Sequence, residues 1–599
     1  LSEGTNFLPQ FFRSTSDMSL LEAGYIFQAR RYRHQAPATH SEDYVPINYW
    51  LGGYEMPAVI FGHLEAYWGA EKFDPIMRDF YAAWKFKHPQ PTDVQQFLER
   101  ASGENLGWLF DDFIRSNKVL DYKMSNVVVR DGTYRVTVDN VGDIAAPFPI
   151  SGIKNGSVVR TQWYKGTNAR QVVDFPKGEY DELVIDADRV MLSVDWRNNG
   201  YLLKADKKKA SPLKLRLLSR LENRKERHLY YAPAIAWNNY DKTLLGVSLH
   251  NLSLTSKRFE FLLTPMYSIA SGGFSGLGGL RYNHFFRTGA LESLRLSIGG
   301  RTFNYSYDFD YKDYDRYYKL APKIELQFRN NKNKNGWSNR LSYRFVQIWQ
   351  DYVRGIDFAA REFTREQQDY AISEFRHILK KSNGLRSVEL NTAVHLGKSF
   401  SNIFTNYDQR FTYDERGNSL RLHGFAGWFP TRDTPVANAR FLISGITGTG
   451  IFQRDYMFDE LLLGRNDNRG IWSNQIFDRD ANLKTISNIG SSTDWMLGLG
   501  ASIDIPIGIP LYLYGDLAVY PDLFDDGLNS TYSLGVAIPI VRNIFEIYLP
   551  LYNSRDIREG VKFVERASDN PLATYFRRIA FKLDLRKVNP VQFRDDLSL

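Results

Sequence analysis

From about residue 226 to the end, apolar and polar residues alternate one for one over long stretches, and this restricts the chain to a few β architectures. Leu294, Leu296 and Ile298 alternate with Arg295, Ser297 and Gly299, while Ile324, Leu326 and Phe328 alternate with Lys323, Glu325 and Gln327. Leu245, Val247 and Leu249 repeat the pattern, as do Val388, Leu390, Thr392 and Val394, and then Ile579, Phe581, Leu583 and Leu585. Successive side chains of a strand point to opposite faces, so each of these segments has one apolar and one polar side. A soluble sandwich would turn the apolar side inward; a membrane barrel would turn it out to lipid and keep the polar side for its lumen. Length separates the two. Segments 337–353, 368–381 and 385–400 run ten residues or more, whereas globular strands have about five or six and tilted membrane strands about nine to eleven.

Composition points the same way. The chain carries 40 Phe, 36 Tyr and 12 Trp, a surplus that membrane barrels place in aromatic girdles at the two lipid–water interfaces. A mean hydropathy of −0.40 and the lack of any long uninterrupted apolar stretch exclude membrane-spanning helices. The absence of cysteine excludes disulfides and thiol chemistry. The net charge of +8 is spread without a basic block, so no nucleic-acid partner is expected, and the densest run, 204–209, lies in an interdomain connection.

The alternation predicts about sixteen strands, with an uncertainty of two, an even number returning both ends of the chain to the periplasm. Segment 454–492 is too long and polar for a strand pair, which leaves two readings open, an extracellular loop or a plug. The Tyr- and Asp-rich segment 305–318 lacks the spacing of a calcium loop and reads as an aromatic rim.

Before residue 226 the periodicity changes twice. Residues 1–118 read as a small helical bundle: Asp74-Pro75 predicts a helix start, and Ile76, Phe80, Tyr81 and Trp84 then share a face. A second helix begins at Thr92 or Asp93 and stops at Gly103, and 106–114 makes a third. Residues 119–205 carry short extended runs separated by Asp131-Gly132, Asn155-Gly156 and Lys177-Gly178, the signature of a β-sandwich. Residues 206–225 read as a linker. The predicted fold class is mainly β: a transmembrane antiparallel β-barrel over 226–599, preceded by the helical bundle and the sandwich.

The first residues, Leu1-Ser2-Glu3-Gly4, resemble the Leu-x-Glu-Gly segment of the aminopeptidase N-type (gluzincin) zinc metallopeptidases. Tyr54-Glu55-Met56-Pro57, with Leu64 ten positions after Tyr54, resembles that family's tyrosine helix, although Met56 and Pro57 replace its Lys and Gly. Trp68 to Phe73, Trp84 to Pro89 and Trp108 to Asp112 are also similar to its helical region, so the resemblance covers about residues 1–205. It implies that Glu3 is a zinc ligand, that Tyr54 donates to the oxyanion of a tetrahedral intermediate, and that the substrate is a peptide.

The two zinc-binding histidines of that family come from a His-Glu-x-x-His helix, and none of this chain's ten histidines forms one. Zinc and peptide hydrolysis are therefore expected only if that helix lies upstream of Leu1, an expectation that goes with the missing export signal. The resulting expectation is an outer-membrane barrel embedded in lipid, carrying a zinc-peptidase-like domain in the periplasm. The alternative is a catalytically inactive subunit of an outer-membrane assembly, secretion or transport complex, partnered by other envelope proteins.

Overall fold

The computed structural model describes residues 20–203, 213–219, 226–253, 255–308, 313–330, 337–357, 362–382, 385–432, 439–444, 455–465, 470–487, 490–507, 510–522, 527–559, 575–576 and 578–588. The chain forms two compact units, one of Leu1–Tyr230 with Ser253–Lys257 and Phe285–Arg287, the other of Tyr231–Leu252, Arg258–His284 and Thr288–Leu599.

The first unit begins with helices α1 (Leu20–Ala29), α2 (Pro46–Trp50), α3 (Met56–Trp68), α4 (Ala70–Trp84) and α5 (Pro91–Ser102). Helix α4 starts a turn earlier than Asp74-Pro75 predicts. Gly69, at φ 76°, breaks the chain away from α3, and its carbonyl accepts from the amides of Lys72 and Phe73 at 3.1 and 3.0 Å. Pro75 then lies in the second turn, where it removes only one backbone hydrogen bond. Helix α5 opens on a reciprocal capping box between Gln90 and Asp93 and ends at Gly103, whose φ of 72° is the left-handed conformation that glycine adopts without strain.

Strands β1 (Tyr122–Arg130), β2 (Thr133–Asn140), β3 (Phe148–Lys154), β4 (Ser157–Tyr164), β5 (Gln171–Pro176), β6 (Glu182–Ile185) and β7 (Gly200–Leu202) follow. They form two sheets, ordered β1-β2-β5 and β4-β3-β6-β7. One continuous core, with Ile60, Leu64, Leu98, Val136, Phe148 and Phe175 fully buried, joins these sheets to the helices.

The barrel sheet takes β8 (Leu213–Leu217) and the start of β9 (Arg227–Asn238) from the first unit and continues in the second with β10 (Lys242–His250), β11 (Phe259–Ser268), β12 (Phe274–Phe285), β13 (Leu291–Asp308) and β14 (Asp313–Phe328). Next come β15 (Ser338–Asp357), β16 (Glu362–Ser382), β17 (Arg386–Gly397), β18 (Phe400–Thr412) and β19 (Ser419–Arg432). After the short β20 (Phe441–Leu442), β21 (Gln475–Ile476) and β22 (Ser491–Ser492), the long strands resume as β23 (Trp495–Asp504), β24 (Tyr512–Pro521), β25 (Leu528–Val541) and β26 (Phe545–Asn553), with β27 (Ala580–Leu583) last.

The eighteen-strand sheet closes into a barrel whose wall runs from β8 to β19 and then directly from β23 to β27, returning to β8, while the remaining member, β21, lies in the β19–β23 connection and joins the sheet at β27. Strand β8 arises inside the stretch that composition marks as a linker. The two-residue β21 runs parallel to β27, while β19 pairs directly with β23 in antiparallel register.

Burial along the strands is inverted relative to a soluble protein. On β14, Lys319 and Glu325 are 8% exposed while their neighbours Leu320 and Ile324 are 40% and 46% exposed. On β24, Tyr512, Tyr514, Asp516, Ala518 and Tyr520 point inward and Leu513 and Leu517 outward. Arg295 and Glu325, directly opposite across β13 and β14, meet inside at 3.1 Å. An apolar exterior around a charged interior is the distribution that lipid imposes. Aromatic pairs mark the ends of the wall, with Trp428 facing Trp495 at one and Phe259 facing Tyr282 at the other.

In the first unit His63 is buried, with Nε2–H donating to the Pro147 carbonyl at 2.8 Å and the ring lying against Trp108 and Trp163. Burial lowers its pKa to about 4 against the opposing Pro147 contact. Unfolding restores the ordinary value near 6.5, so its contribution to stability is complete above that pH and is lost as pH falls toward 4. Comparing wild type with His63→Gln by hydrogen exchange over residues 56–68, the stability advantage of wild type should shrink by about 3 kcal/mol between pH 7 and pH 4. An advantage independent of pH would show that the histidine is not held neutral.

Candidate functional site in the barrel lumen

A barrel of sixteen to eighteen strands encloses more space than its own side chains fill. Here the described residues of the connection between β19 and β23 occupy that space. Phe441, Ile443, Asp455, Tyr456, Met457, Phe458, Phe477, Ala481 and Leu483 of this insert are all buried, packed on inward side chains of the wall. The described residues of the segment that the sequence leaves as either loop or plug therefore form a lumenal plug.

The wall makes room for it with small residues. The inward row of β23 includes Gly498 and Gly500. A Cβ at Gly498 would lie 2.4 Å from the Ala481 Cα, and one at Gly427 on β19 would lie 2.6 Å from the Phe441 ring.

The tip of the insert is a turn folded by its own side chains. Asp455 accepts from the amides of Asp459 and Glu460 at 2.8 and 2.7 Å, and Arg465 donates to Asp455 Oδ2 at 2.9 Å and to the Glu460 carbonyl at 2.8 Å. Phe458 takes a φ of 50°, a strained value for an aromatic residue. It is held there by a ring stacked 4.1 Å from Tyr317, by the Arg465 guanidinium 4.6 Å from the ring centre, and by Arg301 donating to its carbonyl.

Beside this turn lies a charged network. Arg344 on β15 grips both oxygens of Asp459 at 2.8 and 2.7 Å, and Lys319 donates to the same carboxylate. Arg344 Nη2 also reaches Glu374 on β16 at 3.1 Å, where Arg376 donates at 2.8 Å and His395 Nε2 at 3.0 Å. Because the carboxylate can only accept, His395 carries its proton on Nε2, leaving Nδ1 to accept from the Tyr456 hydroxyl at 2.6 Å. Asn402 donates to that hydroxyl at 3.0 Å, and Tyr370 donates to the Tyr456 carbonyl at 2.6 Å.

The return limb is anchored on the opposite wall. Lys484 meets Asp516 at 2.8 Å, Tyr514 donates to the Lys484 carbonyl at 3.0 Å, and Lys582 donates to Asp478.

Below the insert remains a cavity of about 820 Å³. Its lining runs from Tyr456 and Asp478 down to Ser387, Arg410 and Arg421 beside the β16–β17 and β18–β19 turns. Antiparallel alternation puts those turns at the end of the barrel where β9 begins, so the residual lumen lies on the side from which the chain enters.

The sequence-predicted peptidase residues lie elsewhere. Glu3 is outside the described residues. Tyr54 sits in the π turn Leu51–Glu55 of the first unit, 55% exposed, packed against Tyr49 and Trp50. None of the lumenal groups was singled out from sequence, although Lys323, Glu325 and their like were legible as a polar lumen face.

No family model and no curated protein matches the chain. Among solved structures it is similar to BamA from Haemophilus ducreyi lacking POTRA domains 1–3, at 11% identity and TM-score 0.32, over 55% of this chain and 70% of that one. It is also similar to CdiB from Acinetobacter baumannii, at 9% identity and TM-score 0.28, over 56% and 60%. The resemblance to gluzincin peptidases is overturned at the site it implies: among the described residues no group of three His, Cys, Asp or Glu could hold a metal ion. Among the described residues His63 donates to a backbone carbonyl in the core and His34 is buried against Tyr25.

Gly498→Val should push Ala481 and the insert off the wall. Trypsin added to purified barrel should then cut after Arg465 or Arg479, which wild type should resist, while the heat-modifiable mobility of the barrel persists. Equal protection in both proteins would show that the insert does not depend on this contact.

Proposed function

We propose that this protein is a plugged barrel of the bacterial outer membrane, acting as a gated, non-catalytic component of an assembly, secretion or transport complex. Its first unit is on the periplasmic side, available to other envelope proteins. The observation that carries this reading is the insert itself, which seats an apolar cluster around Phe441 and Phe458 on the wall and, beside the cavity, is tied to it by ion pairs and hydrogen bonds. Ionic contacts beside a cavity can pass to an incoming ligand, whose charge replaces the partner that a buried wall group would otherwise lose at high cost. A barrel serving only as an anchor has no need of a charged lumen or an exchangeable filling. The exposed apolar exterior supports lipid as its surrounding.

Conductance in planar bilayers tests the reading. Wild type should be closed or open only briefly, and a variant with residues 440–487 replaced by a short Gly/Ser linker should show large, long-lived openings. Equal conductance in the two proteins, or a variant that stays closed, would contradict a gate.

A further inference from the structure

The charges lining the lumenal cavity are unevenly divided between wall and insert. The wall contributes nine basic and five acidic side chains, the insert three basic and four acidic ones. Two of the insert's carboxylates are seated on wall cations. Asp459 lies between Lys319 and the bidentate grip of Arg344. Asp478 lies on Lys582, with Lys587 at 3.8 Å. Lys582 is almost wholly buried and Asp478 is 39% exposed, so at this site the carboxylate is the part that faces open space. The reverse pair, Lys484 on Asp516, carries backbone hydrogen bonds as well and fixes the return limb in place.

Without the insert Arg344 would keep Glu374 alone and Lys582 only Glu546 at 3.9 Å, and buried cations short of an anion are costly, so this wall calls for further carboxylates. The insert supplies them in the closed state, and it cannot do so once displaced.

We infer that the lumen wall is a recognition surface for a carboxylate-bearing ligand, and that Asp459 and Asp478 are internal mimics holding its two sites until it arrives. This rests on the gated reading above and adds the chemistry of what passes or binds. Acidic side chains of a polypeptide and a small free dicarboxylate share that chemistry. A ligand entering from the cavity side meets the exposed Asp478 site first and exchanges there. The Asp459 site then follows as the turn around Phe458 loses its ionic anchor.

Fluorescein-labelled hexaglutamate, measured by anisotropy on the full chain in detergent, tests this without requiring conductance. Asp459→Asn with Asp478→Asn removes the mimics at nearly constant shape and should raise hexaglutamate affinity about tenfold over wild type, with hexalysine unaffected. Adding Lys582→Gln and Lys587→Gln should cancel most of the gain. If the double variant does not fold, Asp478→Asn alone should give about a threefold gain. Competition by free glutarate at equal concentration would identify a small anion as sufficient, and its failure would identify a peptide; either outcome upholds the site. Equal affinity in wild type and variant, or equal binding of hexalysine, would overturn it. A linker-replaced barrel that never conducts would instead sink the gate while leaving this binding measurement standing.

Discussion

The constraint on which everything else rests is that a peptide group in hydrocarbon has no water to bond. A sheet can enter lipid only if it has no edge, and this chain meets that condition by carrying the ring from β27 back to β8. Closure with strands in this number creates a lumen wider than side chains can fill. The long β19–β23 connection fills it. The inward glycines of β23, the charged inward rows of β14 to β16 and the buried aromatic residues of the insert are consequences of that one requirement.

The lumen differs from a soluble core in how its cohesion is obtained. A soluble core gains stability by removing apolar area from water, whereas here much of the apolar area faces lipid, and the interior joins an apolar cluster around Phe441 and Phe458 to a charged network of Arg344, Glu374, Asp459 and Lys582. Such a network is specific in geometry and gives little net stability, since each charge gives up hydration for its partner. The Phe458 turn is also held together within the insert itself, by Asp455 and Arg465.

Much of the barrel was legible from residue order because period-two alternation commits each side chain to a face. Ile324 outside and Glu325 inside follow from that alone. The lumenal network was not legible, because alternation says that Arg344 points inward and nothing about Asp459, more than a hundred residues away, arriving to meet it. The start of α4 was misread for a local reason, Gly69 outweighing the proline signal at Pro75. The peptidase resemblance failed for a different one. Short strings such as Tyr54-Glu55-Met56-Pro57 encode a turn, and a metal site requires three ligands brought together in space.

Carbodiimide coupling in intact outer membranes tests the central claim, an insert docked in the lumen by ion pairs, most directly. The reagent joins only amines and carboxylates already in contact. The structure requires amide links between Lys484 and Asp516 and between Lys582 and Asp478, identified by mass spectrometry of the digested barrel. Recovery of both lysines uncoupled, with the insert cleaved by protease applied outside the cell, would place the segment in the external solvent and contradict the account.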